Sequence, residues 1–207
     1  MNTLFPMPVG SSSPEAELLE RLRSGDEAAY AQVVRSHGDR LLAVARRFLR
    51  CEEDCADAVQ EAFISAFRAL DRFASNSTLG TWLHRITVNA CLMKLRSRAT
   101  RRTTSLDELL PQFDATGHHV RPVRPWGEQA HTCLARAETL AQVRDCINQL
   151  PDPYRTILLL RDIEEMDTEA TAQALGITPG AVKTRLHRAR QALRTLLEPM
   201  MVGEHRV

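Results

Sequence analysis

Between residues 54 and 70, apolar and polar positions repeat with the period of a helix. Val59, Ala62, Phe63, Ala66, Phe67 and Leu70 fall at i, i+3, i+4, i+7, i+8 and i+11. This stripe predicts an amphipathic helix, and the acids of its first turns complement the helix dipole. The same reading extends along the chain. Leu18, Leu19 and Leu22 predict a helix that begins near Glu15 and stops at Ser24-Gly25-Asp26. Asp26 is placed to cap the next one, which carries Ala29, Tyr30 and Val33. After His37-Gly38-Asp39 a separate helix is expected, with Leu41, Leu42, Ala45, Phe48 and Leu49 on one face. Residues 71–80 are polar and read as a loop, and a helix over 81–98 is expected to turn Trp82, Leu83, Ile86, Ala90 and Met93 to a core.

Periodicity is then lost. Pro111, Gly117, Pro122, Pro125 and Gly127 mark residues 99–131 as a linker, with at most a short helix near Leu106–Leu110. It returns over 132–150 with Leu134, Ala137, Leu140, Ala141, Val143 and Ile147. Pro151-Asp152-Pro153 ends that helix and caps another from Tyr154 to about Glu164. The expected fold is all-α: two small helical domains, residues 15–98 and 132–198, joined by a flexible linker and flanked by tails at 1–14 and 199–207. Aromatics are only 5% of the 207 residues, which argues against a β-sandwich or barrel.

Charge changes the picture more than composition does. Lys+Arg is 27 and Asp+Glu is 26, so the formal net charge of +1 suggests no polyanionic partner. The charges are nevertheless segregated. Acids crowd residues 52–61 and 162–169, and bases crowd 94–102 and 183–194. Opposite patches on one chain imply surfaces with different partners. The five cysteines, Cys51, Cys55, Cys91, Cys133 and Cys146, form no CxxC, and neither an export signal nor an apolar run long enough to span a bilayer is found. A disulfide framework is not expected, no membrane insertion is expected, and the expected location is cytoplasmic.

The strongest mechanistic signal lies between Thr168 and Leu197. A short helix over 168–175 meets Gly176, where a tight turn needs positive φ, and Ile177 is expected to plug the turn into the core. Thr178-Pro179 reads as an N-cap followed by proline at the first helical position. The next helix places Val182, Leu186, Ala189, Leu193 and Leu196 on one face and Lys183, Thr184, His187, Arg188 and Gln191 on the other. This is a helix-turn-helix arrangement, whose second helix fits the major groove of DNA. Lys183, Thr184, His187 and Arg188 are placed toward base edges, and Arg185, Arg190 and Arg194 toward phosphates.

With these residues in place, the chain resembles a bacterial sigma factor of the extracytoplasmic-function class. Residues 54–63, continuing to 80–89, look like the family's region two, and residues 150–190 look like its region four. Cys55 and Thr168 depart from the expected small or acidic residue and serine, and the loop 75–78 is Ser/Asn-rich without an acid. The resemblance implies a protein that binds core RNA polymerase and directs it to promoter DNA. Asp57, Gln60, Glu61 and Phe63 would lie on the helix that grips the β′ clamp helices, with Phe63 chiefly in core packing. Ser75, Asn76, Ser77 and Thr78 would form the pocket for a flipped base of the minus-ten element. Trp82 would stack on DNA or sit in the core beneath the loop, and Arg85, Asn89, Lys94 and Arg96 would follow the promoter strand. Region four, through Lys183, Thr184, Arg185, His187, Arg188 and Arg190, would read the minus-thirty-five element and dock on the β flap. An anti-sigma partner is implied as well.

Three other classes of function are open to these residues. Cys51 and Cys55 with His131 and Cys133 would make a metal or oxidant site, but structural zinc favours tighter motifs. No Walker loop, HExxH, GxSxG or dinucleotide glycine pattern occurs, so no enzyme and no cofactor are expected. A helix-turn-helix regulator that binds duplex operator without polymerase is the remaining alternative.

Overall fold

The computed structural model describes residues 13–73, 77–98, 106, 109–110 and 137–202. They divide into two compact units, split between Arg98 and Ala99.

The first unit holds four helices, α1 (Pro14–Arg23), α2 (Glu27–Phe48), α3 (Glu52–Arg68) and α4 (Leu79–Arg98), with a 3₁₀ turn at Leu70–Arg72. Helices α2, α3 and α4 pack on one another, and α1 lies against α2 and the 3₁₀ turn. Asp26 caps α2 as expected, accepting the Ala28 N–H at 2.8 Å. Leu22, Val33, Phe48, Ala62 and Leu83 are completely buried and define the core. Tyr30 joins the layers: its hydroxyl donates to the Leu22 carbonyl at 2.9 Å, and its ring meets Phe67 edge-on at 4.7 Å.

Three expectations change here. Helix α2 runs unbroken through His37-Gly38-Asp39. An interior glycine costs only about 1 kcal/mol, and the buried stripe Ala29, Val33, Leu41, Val44 and Ala45 continues on both sides of it. Tertiary burial outweighs the local break. The loop is shorter than expected, because Leu70–Arg72 forms the 3₁₀ turn and α4 starts at buried Leu79. Met93, expected in the core, is 67% exposed. The stripe of α4 is Leu83, Thr87, Val88, Ala90, Cys91 and Leu92 instead. Thr87 is tolerated inside because its hydroxyl donates to the Leu83 carbonyl at 2.9 Å, so no polar group is stranded.

The second unit contains α5 (Ala137–Gln149), α6 (Asp152–Leu158) widening into a π-turn at Leu159–Ile163, α7 (Thr168–Leu175) and α8 (Pro179–Val202). Residues 132–136 of the expected α5, and most of the short helix expected near Leu106–Leu110, lie outside the described residues; Leu109 N–H does bond the Leu106 carbonyl at 2.9 Å. Helix α5 buries Cys146 and Ile147, while Leu140, expected inside, is 48% exposed. Helix α6 begins at Asp152 and is buried on all sides from Arg155 through Leu160. Such a helix is the centre of its unit, and α8 packs along it. The last helix passes Pro199 and ends at Val202.

Candidate nucleic-acid interface and acidic helix face

The helix-turn-helix is built from local signals that each bond as their residue type dictates. Asp167 caps α7 by accepting the Ala170 N–H at 2.7 Å. Gly176 ends it at φ 66° and ψ 37°, the left-handed conformation that favours glycine. Ile177 N–H then returns to the Ala172 carbonyl at 3.1 Å, closing the helix end in the manner of a Schellman motif. The Ile177 side chain is half-buried. Thr178 caps α8, its hydroxyl accepting the Ala181 N–H at 3.2 Å. Val182, Leu186, Ala189, Ala192 and Leu197 face inward. Leu193 and Leu196, expected with them, are half-buried.

Lys183, Thr184, His187 and Arg188 stand together on the outer face of α8, exposed, with half-buried Arg185 beside them. Arg190 differs. Its guanidinium donates twice to the Asp162 carboxylate of the π-turn, at 2.9 and 2.6 Å, although the residue remains exposed. This fork ties α8 to the π-turn that follows α6. Asp162 thereby raises Arg190 further above its ordinary range.

In the first unit, Asp57, Gln60 and Glu61 share the exposed face of α3. Phe63 is only 7% exposed and stacks with Phe67 at 5.8 Å, so it packs into the core rather than offering a surface. Ile64 stands exposed one turn beyond Gln60, and its off-stripe position is the only signal of it in the sequence. Lys94 reaches from α4 to this acidic face, 3.6 Å from Asp57 and 3.4 Å from Glu61, with its side chain 18% exposed. The structure thus brings together two groups assigned to different partners, Lys94 for DNA and the acids for polymerase.

Of the loop, Ser75 and Asn76 lie outside the described residues. Ser77 is half-buried and Thr78 is exposed. Thr78 caps α4, its hydroxyl accepting the Thr81 N–H at 3.2 Å and pairing with the Thr81 hydroxyl at 2.9 Å. Trp82 is half-buried with its ring 4.9 Å from Phe73, so it closes the base of the loop. Arg85 and Asn89 follow on α4, one turn apart and exposed.

Among the described residues no cluster of metal-ligating side chains occurs, and His131 and Cys133 lie outside them. Cys51, Cys55, Cys91 and Cys146 are free thiols. Burial pushes the Cys55 thiol up, away from the reactive thiolate. No helix among the described residues is long and apolar enough to cross a membrane.

Comparison with known proteins agrees with both units. Sigma-70 region 2 matches residues 33–101, and Sigma-70 region 4 matches residues 140–193. The chain is 34% identical over 189 residues to the ECF RNA polymerase sigma factor SigM of Mycobacterium tuberculosis, spanning 91% of this chain and 87% of that one. It is 32% identical over 188 residues to the RNA polymerase sigma-H factor of Pseudomonas aeruginosa, spanning 90% and 95%. Among solved structures it shares the fold of the sigma factor RpoE, co-crystallised with the anti-sigma factor NepR from Bartonella quintana. That likeness has a TM-score of 0.51 and 22% identity over 82% of this chain and 96% of that one.

A region 2 helical bundle followed by a region 4 helix-turn-helix is the pairing of a transcription initiation factor. The chain belongs to the sigma-70 family, in its extracytoplasmic-function class, and directs RNA polymerase to promoters. A regulator that works without polymerase is thereby set aside.

Proposed function

We propose a division of labour between two modules, residues 15–98 and a second from 132 through α8, with residues 99–131 linking them. The second module reads the minus-thirty-five element. Lys183, Thr184, His187 and Arg188 approach base edges in the major groove, and Arg185 meets phosphate. Arg190 sits on the same helix, but its bonds to Asp162 give it first the task of holding α8 in place. The observation that carries this reading is the exposed basic face of a helix whose preceding turn is closed on both sides by hydrogen bonds.

The first module grips core polymerase through Asp57, Gln60 and Glu61, with Phe63 supporting them from the core. Lys94 partly neutralises these acids, so it sets the charge of the docking face as well as lying near the promoter strand. Ser75, Asn76, Ser77 and Thr78 receive an unpaired base of the minus-ten element, with Arg85 and Asn89 along the strand. The protein works in the cytoplasm, where core polymerase is, and an anti-sigma factor restrains it by covering these charged faces. The β flap is the docking place of the second module.

Run-off transcription with purified core polymerase tests the whole reading. Defined starts are expected only when this protein is present. Association with core that never yields a start would overturn it.

A further inference from the structure

The loop between Phe73 and Leu79 is bounded by two hydrogen bonds that come from one distant helix. Arg23 of α1 donates to the Phe73 carbonyl at 3.4 Å, across 50 residues of sequence. Glu15 of α1 accepts the Leu79 N–H, across 64 residues. The two side chains stand eight positions apart, about 12 Å at a helical rise of 1.5 Å per residue. Each reaches a different stem of the same loop.

We propose that α1 is a splint for this loop, with Glu15 and Arg23 as positioning residues for capture of the unpaired promoter base. This deepens the reading of the loop given above and rests on it.

The splint is itself fixed. Ser13 caps α1 at its start, with its oxygen 3.4 Å from the Ala16 N–H, and Leu19 and Leu22 are buried. At its end Arg21 bonds the Asp26 carboxylate at 2.8 Å, and the Tyr30 hydroxyl holds the Leu22 carbonyl at 2.9 Å. Two further contacts close the loop's base from within: the Phe73 ring on Trp82 at 4.9 Å, and the Thr78 cap on Thr81. Gly80 backs onto α2, where a Cβ would come within 3.2 Å of His37 Cε1.

The physical reason for such a device lies in the cost of capture. Flipping a base costs a few kcal/mol of stacking and pairing. A loop that must also order itself adds conformational entropy to that cost. Fixing both stems beforehand removes part of it. The bonds suit the task, because each pairs a charged side chain with a backbone group. The Glu15 carboxylate also lies at the positive end of α4.

The test uses the full chain with core polymerase. Four variants are compared: Glu15→Ala, Arg23→Ala, their combination, and Glu15→Gln, which keeps an acceptor. Hydrogen exchange at the Leu79 amide reads the splint without DNA. A single-stranded minus-ten oligonucleotide and permanganate reactivity of a duplex promoter read capture and opening. Core affinity and thermal unfolding are measured on the same proteins.

The double alanine variant is expected to exchange Leu79 and to open the promoter with about tenfold changes. Its core affinity is expected to stay within about twofold, since the acidic face of α3 is untouched. Glu15→Gln is expected to behave close to wild type. Unchanged exchange would overturn the splint. So would a loss of core affinity parallel to the loss of opening, or a Glu15→Gln variant as defective as Glu15→Ala. Faster exchange with unaltered strand capture would reject the loop as the capture site, and the positioning role with it.

Discussion

The two regions proposed to face DNA are held in place by different kinds of contact. The turn of the helix-turn-helix is fixed by neighbours: Ile177 on Ala172 and Thr178 on Ala181, with Asp167 on Ala170 capping the helix before it. The loop before α4 is fixed at its stems by residues of α1, 50 and 64 positions away. The first can assemble as soon as its own residues meet. The second exists only once α1 has packed against the body of its unit. A rigid reader of duplex DNA is well served by local closure. On the proposed reading, a loop that receives an unpaired base is served by stems set from outside.

This contrast can be broken most severely in the core beneath the loop. Leu83 is completely buried. Leu83→Ala is expected to cost about 2–5 kcal/mol in chemical unfolding of the first unit, and to weaken strand capture while minus-thirty-five duplex binding by the second unit persists. Equal loss of both activities would mean that the units are not separable.

Next in size is the turn. Gly176→Val forces a branched side chain into a left-handed conformation at φ 66°. That costs about 1–2 kcal/mol or more, expected as a lower melting temperature and weaker minus-thirty-five binding, with core binding by the first unit retained. Thr178→Ala removes the cap on α8 and is expected to cost about 1 kcal/mol by the same measurement, with Thr178→Ser restoring it.

Smaller still is the Arg190 fork. Both partners are partly solvated, so Arg190→Ala is expected to change stability by less than about 1 kcal/mol. Its diagnostic is salt dependence. Lys183→Ala is expected to reduce the slope of log binding against log salt by about 1. Arg190→Ala is expected to leave that slope nearly unchanged, because Asp162 already holds its charge. Equal slopes for the two variants would make Arg190 a phosphate contact.

The smallest effect concerns pH. Burial lowers the affinity of His37 for a proton, and Arg40 adds to this while Glu15 opposes it. The folded pKa therefore lies below the unfolded value near 6.5. The unfolded chain takes up the proton first, so stability falls as pH drops through that value. His37→Gln is expected to flatten this slope in thermal melts between neutral and mildly acidic pH.

Much of this architecture was readable from the chain. The stripe from Val59 to Leu70 and the caps Asp26 and Thr178 appear in the fold where periodicity and residue type put them. So does Gly176 at positive φ. Each signal acts within a turn or two of helix, so the residues that decide it are adjacent in sequence. Other features resisted reading because their causes are distant. Gly38 looked like a break, yet α2 continues because both of its halves bury one stripe. Met93 looked like core, yet it is exposed, and Thr87 lies buried with its hydroxyl on the Leu83 carbonyl. Lys94 looked like part of a free basic run, yet it turns back to Asp57 and Glu61.

The amino-acid order alone thus determined that the chain is helical, that Asp26 and Thr178 cap two of its helices, and which helix carries a basic face. Only the tertiary structure decided which side of α4 is buried, which cations are already paired within the molecule, and that α1 reaches both stems of the loop. Periodicity and caps are short-range properties of the backbone. Burial, ion pairing and long-range hydrogen bonds depend on which surfaces meet, and that is settled only when the helices pack.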